Sequence, residues 1–501
     1  MVAQVYRARK PRASPLWQCL TRHFDRFQAV YEERYQSRHG FLRPIIPEVV
    51  HKFMDCGDLE HGFARIRCDH CQKDHLLAFS CKGRWFCPSC HQKKVLLFGA
   101  LMTESILFPV PHRHVTLTIP KMLRPSCRSL RSLPTLRVGL SPFGRLRYHR
   151  DLLKDLCRIA HECVRDVMRV SLDQPDGMPG IVMAIHTFGE YLDFHPHLHL
   201  LMADGLFLRD ERFLVLPENG MNAVEELFRA KLITFLTKQG LLQPDRARML
   251  KSWKHSGFNV HRSRRIQPDE RDDLQRVARY IIRNPFSTEK MDFKPPNAVN
   301  RDGTVIYRSG MNPKIHRNFQ IFTPCDFIAA ITQHIPDKSF QLIRYYGWYS
   351  KKPTEGRRAA RSRGNGAKRS GNMRGQRKKR AEEEKEAEEV EEGVEVIDVS
   401  EHQPQRIPSK KWRDLIKKVW EADPMICPTC QREMRIVSLI DERDVVEKML
   451  KCLGLWEQGV RVKPNRHSGT DPPNGDWVYE PVDQDPFPDY DTEPVLFYAN
   501  A

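Results

Sequence analysis

The chain contains no run of about 18 consecutive apolar residues, so it offers no span for a bilayer. Behind the positively charged stretch from Met1 to Pro15 there is no apolar segment, which excludes a secretory signal. No Walker sequence is present to cradle nucleotide phosphates, so a fused helicase motor is excluded. Acidic residues are in deficit: 63 Asp and Glu stand against 82 Lys and Arg, a formal charge of +19. That excess favours a polyanionic partner, nucleic acid first. Fourteen cysteines in such a chain point to metal ligation or reduced thiols rather than disulfides. The expected location is the cytoplasm, in association with the nucleoid, with no membrane partner.

The cysteines fall into short pairs. Cys68-Asp69-His70-Cys71 and Cys87-Pro88-Ser89-Cys90 are separated by fifteen residues, the spacing of a four-thiolate zinc site in which each pair presents two sulfurs to one tetrahedral ion. Cys81 and His91 are spare candidates for a ligand position. Lys73, Lys82, Arg84, Lys93 and Lys94, with Trp85 and Phe86, make this module a basic, aromatic surface suited to DNA. A third pair, Cys427-Pro428-Thr429-Cys430, lies near the C-terminus, where one obvious thiol pair leaves a second zinc site open.

The run from Phe194 to Gly205 contains His197-Leu198-His199 and reads as a strand ended by Gly205. Alternate side chains of a strand share a face, so His197 and His199 point the same way, about 7 Å apart, and can grip one divalent cation. Ile181 to Phe188 reads as a second strand, antiparallel to the first. It brings His186 across from the pair as a third ligand, with Glu190 and His195 as alternatives. Further along, Pro268-Asp269-Glu270 opens a helix stopped by Asn284-Pro285. Its apolar stripe is Leu274, Val277, Ile281 and Ile282, and Tyr280 lies outside it, between Arg279 and Arg283. A tyrosine so placed, flanked by arginines, is positioned to meet a phosphate.

These residues resemble the HUH superfamily of single-strand nucleases, and more closely the rolling-circle transposases of the insertion-sequence-ninety-one family and their common-region relatives. The resemblance runs from the N-terminal cysteines to about Ser350. It is carried by Phe79-Ser80-Cys81-Lys82 with Cys87-Pro88-Ser89-Cys90, His186-Thr187-Phe188-Gly189, His197-Leu198-His199, Ser256-Gly257-Phe258, Ala278-Arg279-Tyr280 with Pro285, His334-Ile335-Pro336-Asp337, and Arg344-Tyr345-Tyr346-Gly347-Trp348-Tyr349. It implies His197 and His199 as ligands of a catalytic magnesium or manganese ion and Tyr280 as nucleophile. Where some members carry a second tyrosine one helical turn earlier, this chain has Arg276, which implies a single-tyrosine form. Its implied substrates are single-stranded DNA at transposon ends and target DNA, cut and rejoined through a 5′-phosphotyrosine; it leaves an oligomer open. The same site would serve a replication initiator or relaxase. If the histidines and tyrosine are structural, the chain is a zinc-dependent DNA-binding protein.

The expected architecture is α+β. A helical lead-in (1–60) precedes a zinc-binding, DNA-binding module (61–100) and a catalytic domain with a central antiparallel sheet and flanking helices (101–290). A helical and aromatic part follows (291–350), in which the aromatic run of Arg344 to Tyr349 either stacks on bases or packs in the core. From 351 to 380 thirteen Lys or Arg stand against one Glu, and from 381 to 399 ten acids stand against one Lys. This pattern reads as a disordered linker (351–405). A small module with Cys427 and Cys430 (406–460) and a disordered tail (461–501) complete the chain.

Overall fold

A computed structural model describes residues 11–83, 85–120, 123, 151–253, 257–298, 300–312, 316–350, 394–402, 413 and 423–456. Arg84, residues 351–393 of the charged linker and the tail 461–501 lie outside the described residues.

Five antiparallel strands form the central sheet, in the order β12 (Ile343–Gly347), β4 (Gly180–Phe188), β5 (Phe194–Ala203), β3 (His112–Thr118) and β8 (Asn259–Ile266). Every residue of β4 is buried, and so are nine of the ten in β5, which explains their near-continuous apolar sequences. The expected antiparallel pairing of these two strands is present, with His186 opposite His197 and Ala184 opposite His199. The helices Asp151–Ser171 and Val224–Lys238 pack on each other and on β4 and β8. The helix Arg271–Ile281 packs on β5 and on the helix Pro88–Leu101.

Gly205 does not end β5. The strand stops at Ala203, and Gly205 opens β6 (Gly205–Phe207), which pairs with β7 (Arg212–Val215) and, beyond it, β13 (Val396–Asp398). Between the two sheets Asp204 is buried and accepts hydrogen bonds from Arg113 Nε at 3.1 Å, Arg113 Nη2 at 2.8 Å and Arg265 Nε at 2.6 Å. A buried carboxylate needs such partners, since an unpaired charge is costly to desolvate.

Two parts of the expected domain map are arranged differently. The N-terminal helices, among them Pro15–Ala29 and Ile45–Met54, do not form a separate lead-in. Their apolar residues share one core with residues 286–335, including the helix Pro324–Thr332 and strands β9 (Met291–Lys294) and β10 (Thr304–Asn312). Likewise the cysteine module and the C-terminal module are one unit, because β1 (Phe63–Arg67) pairs with β2 (Asp74–Ala78) on one side and β14 (Arg435–Ile440) on the other. Both joins link residues hundreds of positions apart, which local sequence patterns do not encode.

The aromatic run in and just after β12 goes largely to the core. Trp348 stacks on Phe207 with centroids 4.9 Å apart, and the buried Tyr349 hydroxyl meets His112 Nε2 at 2.7 Å. Among the described residues no helix is long and apolar enough to cross a membrane.

Gly205 has no room for a side chain: a Cβ there would collide with the Leu214 carbonyl of the paired strand. Gly205→Ala is expected to lower the unfolding free energy by about 3 kcal/mol, read from urea unfolding followed by near-ultraviolet circular dichroism, because the obstacle is backbone and cannot rotate away.

Candidate catalytic and metal centre

The histidine face of the sheet is built by strand alternation. His197 and His199 on β5 and His186 on β4 project to one side and are all buried. One ring nitrogen from each lies within 4.8 Å of the others, so the structure brings together the two histidines of the His-x-His pair and the expected third. Glu190 and His195, the alternatives, are not in this group.

The other nitrogens fix the tautomers. His186 Nε2 donates to the Ile281 carbonyl at 2.7 Å, and His197 Nδ1 donates to the His195 carbonyl at 2.8 Å. His199 Nδ1 sits 2.9 Å from His114 Nε2 and 3.2 Å from Thr116 Oγ1. His186 Nδ1 and His199 Nε2 are buried with no hydrogen-bond partner among the described residues. Burial first, and then the neighbouring histidines, hold His186 well below the usual imidazole range and push His199 down to about 2. Three buried imidazoles whose ring nitrogens converge, two of them without a hydrogen-bond partner among the described residues, form a donor set that fits a divalent cation.

The helix Arg271–Ile281 delivers Tyr280 to this face. Asp272 and Asp273 in its first turn suit the helix dipole, and Leu274, Ala278 and Ile281 bury its inner stripe. Tyr280 stays 42% exposed, so its hydroxyl is accessible. Its ring stands perpendicular to the His199 ring at 5.5 Å and lies 5.8 Å from His114. The Arg283 guanidinium caps it, with Cζ 4.3 Å from the ring centroid. Arg276, one turn earlier, is exposed and pairs with Asp273.

Two backbone anchors hold the C-terminal end of this helix. His186 binds the Ile281 carbonyl, and His91 Nε2 donates to the Ile282 carbonyl at 2.6 Å. His91 follows Cys90 directly and packs against Trp85 with ring centroids 4.6 Å apart, so a residue of the cysteine module is hydrogen-bonded to the end of the tyrosine helix.

The cysteines group differently from the expected set of Cys68, Cys71, Cys87 and Cys90. Cys87 and Cys90 join Cys56 and Cys81, whereas Cys68 and Cys71 join Cys427 and Cys430. The spacing between two CxxC pairs does not determine their partners, because each pair is a complete local turn and the pairing is tertiary. Both clusters support structural zinc.

The sequence matches the family model described as "Transposase zinc-binding domain" over residues 24–119 and the one described as "Putative transposase" over residues 180–356, together more than half of the chain. The chain belongs to the insertion-sequence-ninety-one family of transposases. The transposase for insertion sequence element IS801 of Pseudomonas savastanoi pv. phaseolicola is 25% identical over 326 residues, which cover 62% of this chain and 71% of that protein. No solved structure matches.

In this transposase the basic residues expected on DNA are sorted by packing. Arg283 is exposed beside Tyr280, and Lys82 is exposed on the loop before Cys87. Arg279 instead turns to the helix Pro88–Leu101, where a Cβ on Gly99 would lie 2.9 Å from its Cγ, and it donates to Gln275. Trp85 and Phe86 are buried rather than forming a surface for bases, because they pack the module onto the core of the central sheet and the N-terminal core. Three residues escaped the sequence reading. Cys56 lies outside any CxxC pair. His114 belongs to His112-Arg113-His114, a second His-x-His run, which is the one signal that marks it. His91 was weighed only as a zinc ligand.

Replacing His91 with Ala leaves a buried carbonyl at the end of the tyrosine helix unpaired. A loss of about 1–3 kcal/mol in unfolding free energy is expected, with zinc content by plasma mass spectrometry unchanged; a fall in zinc would instead make His91 a ligand.

Proposed function

We propose that this transposase nicks and rejoins single-stranded DNA at the ends of its element, in rolling-circle transposition, with Tyr280 as nucleophile and a divalent ion at His186, His197 and His199. The observation that supports this most is the accessible phenol of Tyr280 beside three buried imidazoles whose ring nitrogens converge. A bound divalent ion would draw electron density from the scissile phosphate and stabilise charge on its oxygens. Of magnesium and manganese, three imidazoles without a carboxylate favour manganese.

The chain's own residues account for the rest. Tyr280 Oη attacks phosphorus and loses its proton, the bond to the 3′-oxygen breaks, and that oxygen leaves as a hydroxyl. The 5′-phosphate stays on the tyrosine, and because this ester conserves the bond, another 3′-hydroxyl reverses the step without ATP. Arg283, stacked on the phenol, meets the phosphate's negative charge. His91 and His186 hold the end of the helix and so fix where the hydroxyl points. With Arg276 in place of a second tyrosine, each chain holds one strand at a time, and successive transfers use the same phenol or that of a second copy.

Purified protein incubated with manganese and end-labelled oligonucleotides of the element's ends is expected to form an SDS-resistant adduct with the fragment carrying the 5′-phosphate. Tyr280→Phe abolishes it, and His197→Ala with His199→Ala reduces it by about a thousandfold or more. An undiminished adduct in Tyr280→Phe assigns the nucleophile elsewhere.

A further inference from the structure

The Cys68, Cys71, Cys427 and Cys430 cluster joins segments that no family match unites: the zinc-binding match ends at residue 119, and the second match ends at residue 356. We infer that these four cysteines hold one zinc ion jointly, a clasp that fastens the C-terminal module to the N-terminal one. It is distinct from the site of Cys56, Cys81, Cys87 and Cys90, which lies wholly within the matched zinc-binding stretch.

The two halves are built alike, offset for offset. The Cys68 amide donates to the Lys73 carbonyl at 3.0 Å, and the Cys427 amide donates to the Arg432 carbonyl at 2.8 Å. In the first half, the amides of His70 and Cys71 point at Cys68 Sγ and that of Lys73 at Cys71 Sγ. In the second, the amides of Thr429 and Cys430 point at Cys427 Sγ and that of Arg432 at Cys430 Sγ. Gln72 and Gln431, each directly after the second cysteine, both take a left-handed backbone, with φ of 57° and 61°. Three amide donors aimed at two sulfurs make each turn a knuckle that presents its sulfur pair outward, and two such turns face each other across the joint.

The sulfur spacing fits zinc and excludes disulfides. Cys68 Sγ lies 3.4 Å from Cys430 Sγ, and Cys71 Sγ lies 3.6 Å from Cys427 Sγ. A disulfide requires about 2.05 Å. A tetrahedron with zinc–sulfur bonds of about 2.3 Å has edges of about 3.8 Å. All four sulfurs fall within 4.8 Å of one another, and Ile66, Met425 and Met434 pack around them. The joint is extended by the β1–β14 ladder and by Arg435 Nε, which donates to Asp69 Oδ2 at 2.8 Å.

The test is metal counting on the full chain. Cys68→Ser with Cys71→Ser is expected to hold one zinc fewer than the parent protein, and Cys427→Ser with Cys430→Ser likewise. All four substitutions together still lose only one, which marks a shared ion. Loss of two ions in the fourfold variant, or no loss in the C-terminal variant, overturns the proposal. Alkylation of the unmutated protein guards against misfolded variants. Cys68 and Cys427 are expected to be shielded together until zinc is chelated, while the exposed Cys452 reacts in both states. Reaction of Cys427 at the Cys452 rate, with Cys68 shielded, also overturns it.

Discussion

The two-residue period of β5, held in antiparallel register with β4, is the constraint on which the histidine face depends. With His186 opposite His197, three imidazoles reach the same side of the sheet and are buried there. Burial does two things at once. It keeps His186 and His199 neutral, because a charged imidazole would lose its water, and it leaves one nitrogen of each without a hydrogen-bond partner among the described residues. A slip of one residue would send His197 and His199 to the opposite face and leave Leu198 and Leu200 in their place. The buried neighbours on both flanks, β4 and β3, make such a slip costly.

The same histidine also connects the sheet to the helix. His186 uses one nitrogen to face the cluster and the other to bind the last turn of the tyrosine helix, while His91 binds the next carbonyl from the cysteine module. The phenol's position is therefore set from two directions by donors that are themselves buried. Arg279 adds a third brace by lying across Gly99. The cysteine module thus serves as part of the mounting of the active face, beyond any contact that it makes with DNA.

Much of this was legible in the sequence where a local pattern carries the information. Apolar runs revealed β4 and β5, and strand alternation the shared face of His197 and His199. The acids before Leu274 and the proline at 285 bounded the tyrosine helix, and the apolar stripe left Tyr280 outside. What local patterns omit is which complete local unit meets which. Each CxxC turn is the same whether its partner is sixteen or more than three hundred residues away, so Cys68 and Cys71 could not be matched to Cys427 and Cys430. Cys56 stands alone and offers no spacing to read. Arg279 and Arg283 both lie close to Tyr280 in sequence, and only the neighbouring helix at Gly99 separates the half-buried brace from the exposed cation. Trp348 and Tyr349 read equally well as a stacking platform, until the packing on Phe207 and His112 is seen.

The pairing of β1 with β14 also has a meaning in time. Cys71 and Cys427 are 356 residues apart, which at about 5–20 residues per second takes a ribosome on the order of 20–70 s to traverse. Throughout that interval β1 has an open edge and its cysteine turn faces no counterpart. The first module made is thus among the last to be completed, and a nascent chain interrupted before its final sixth lacks the strand that closes it.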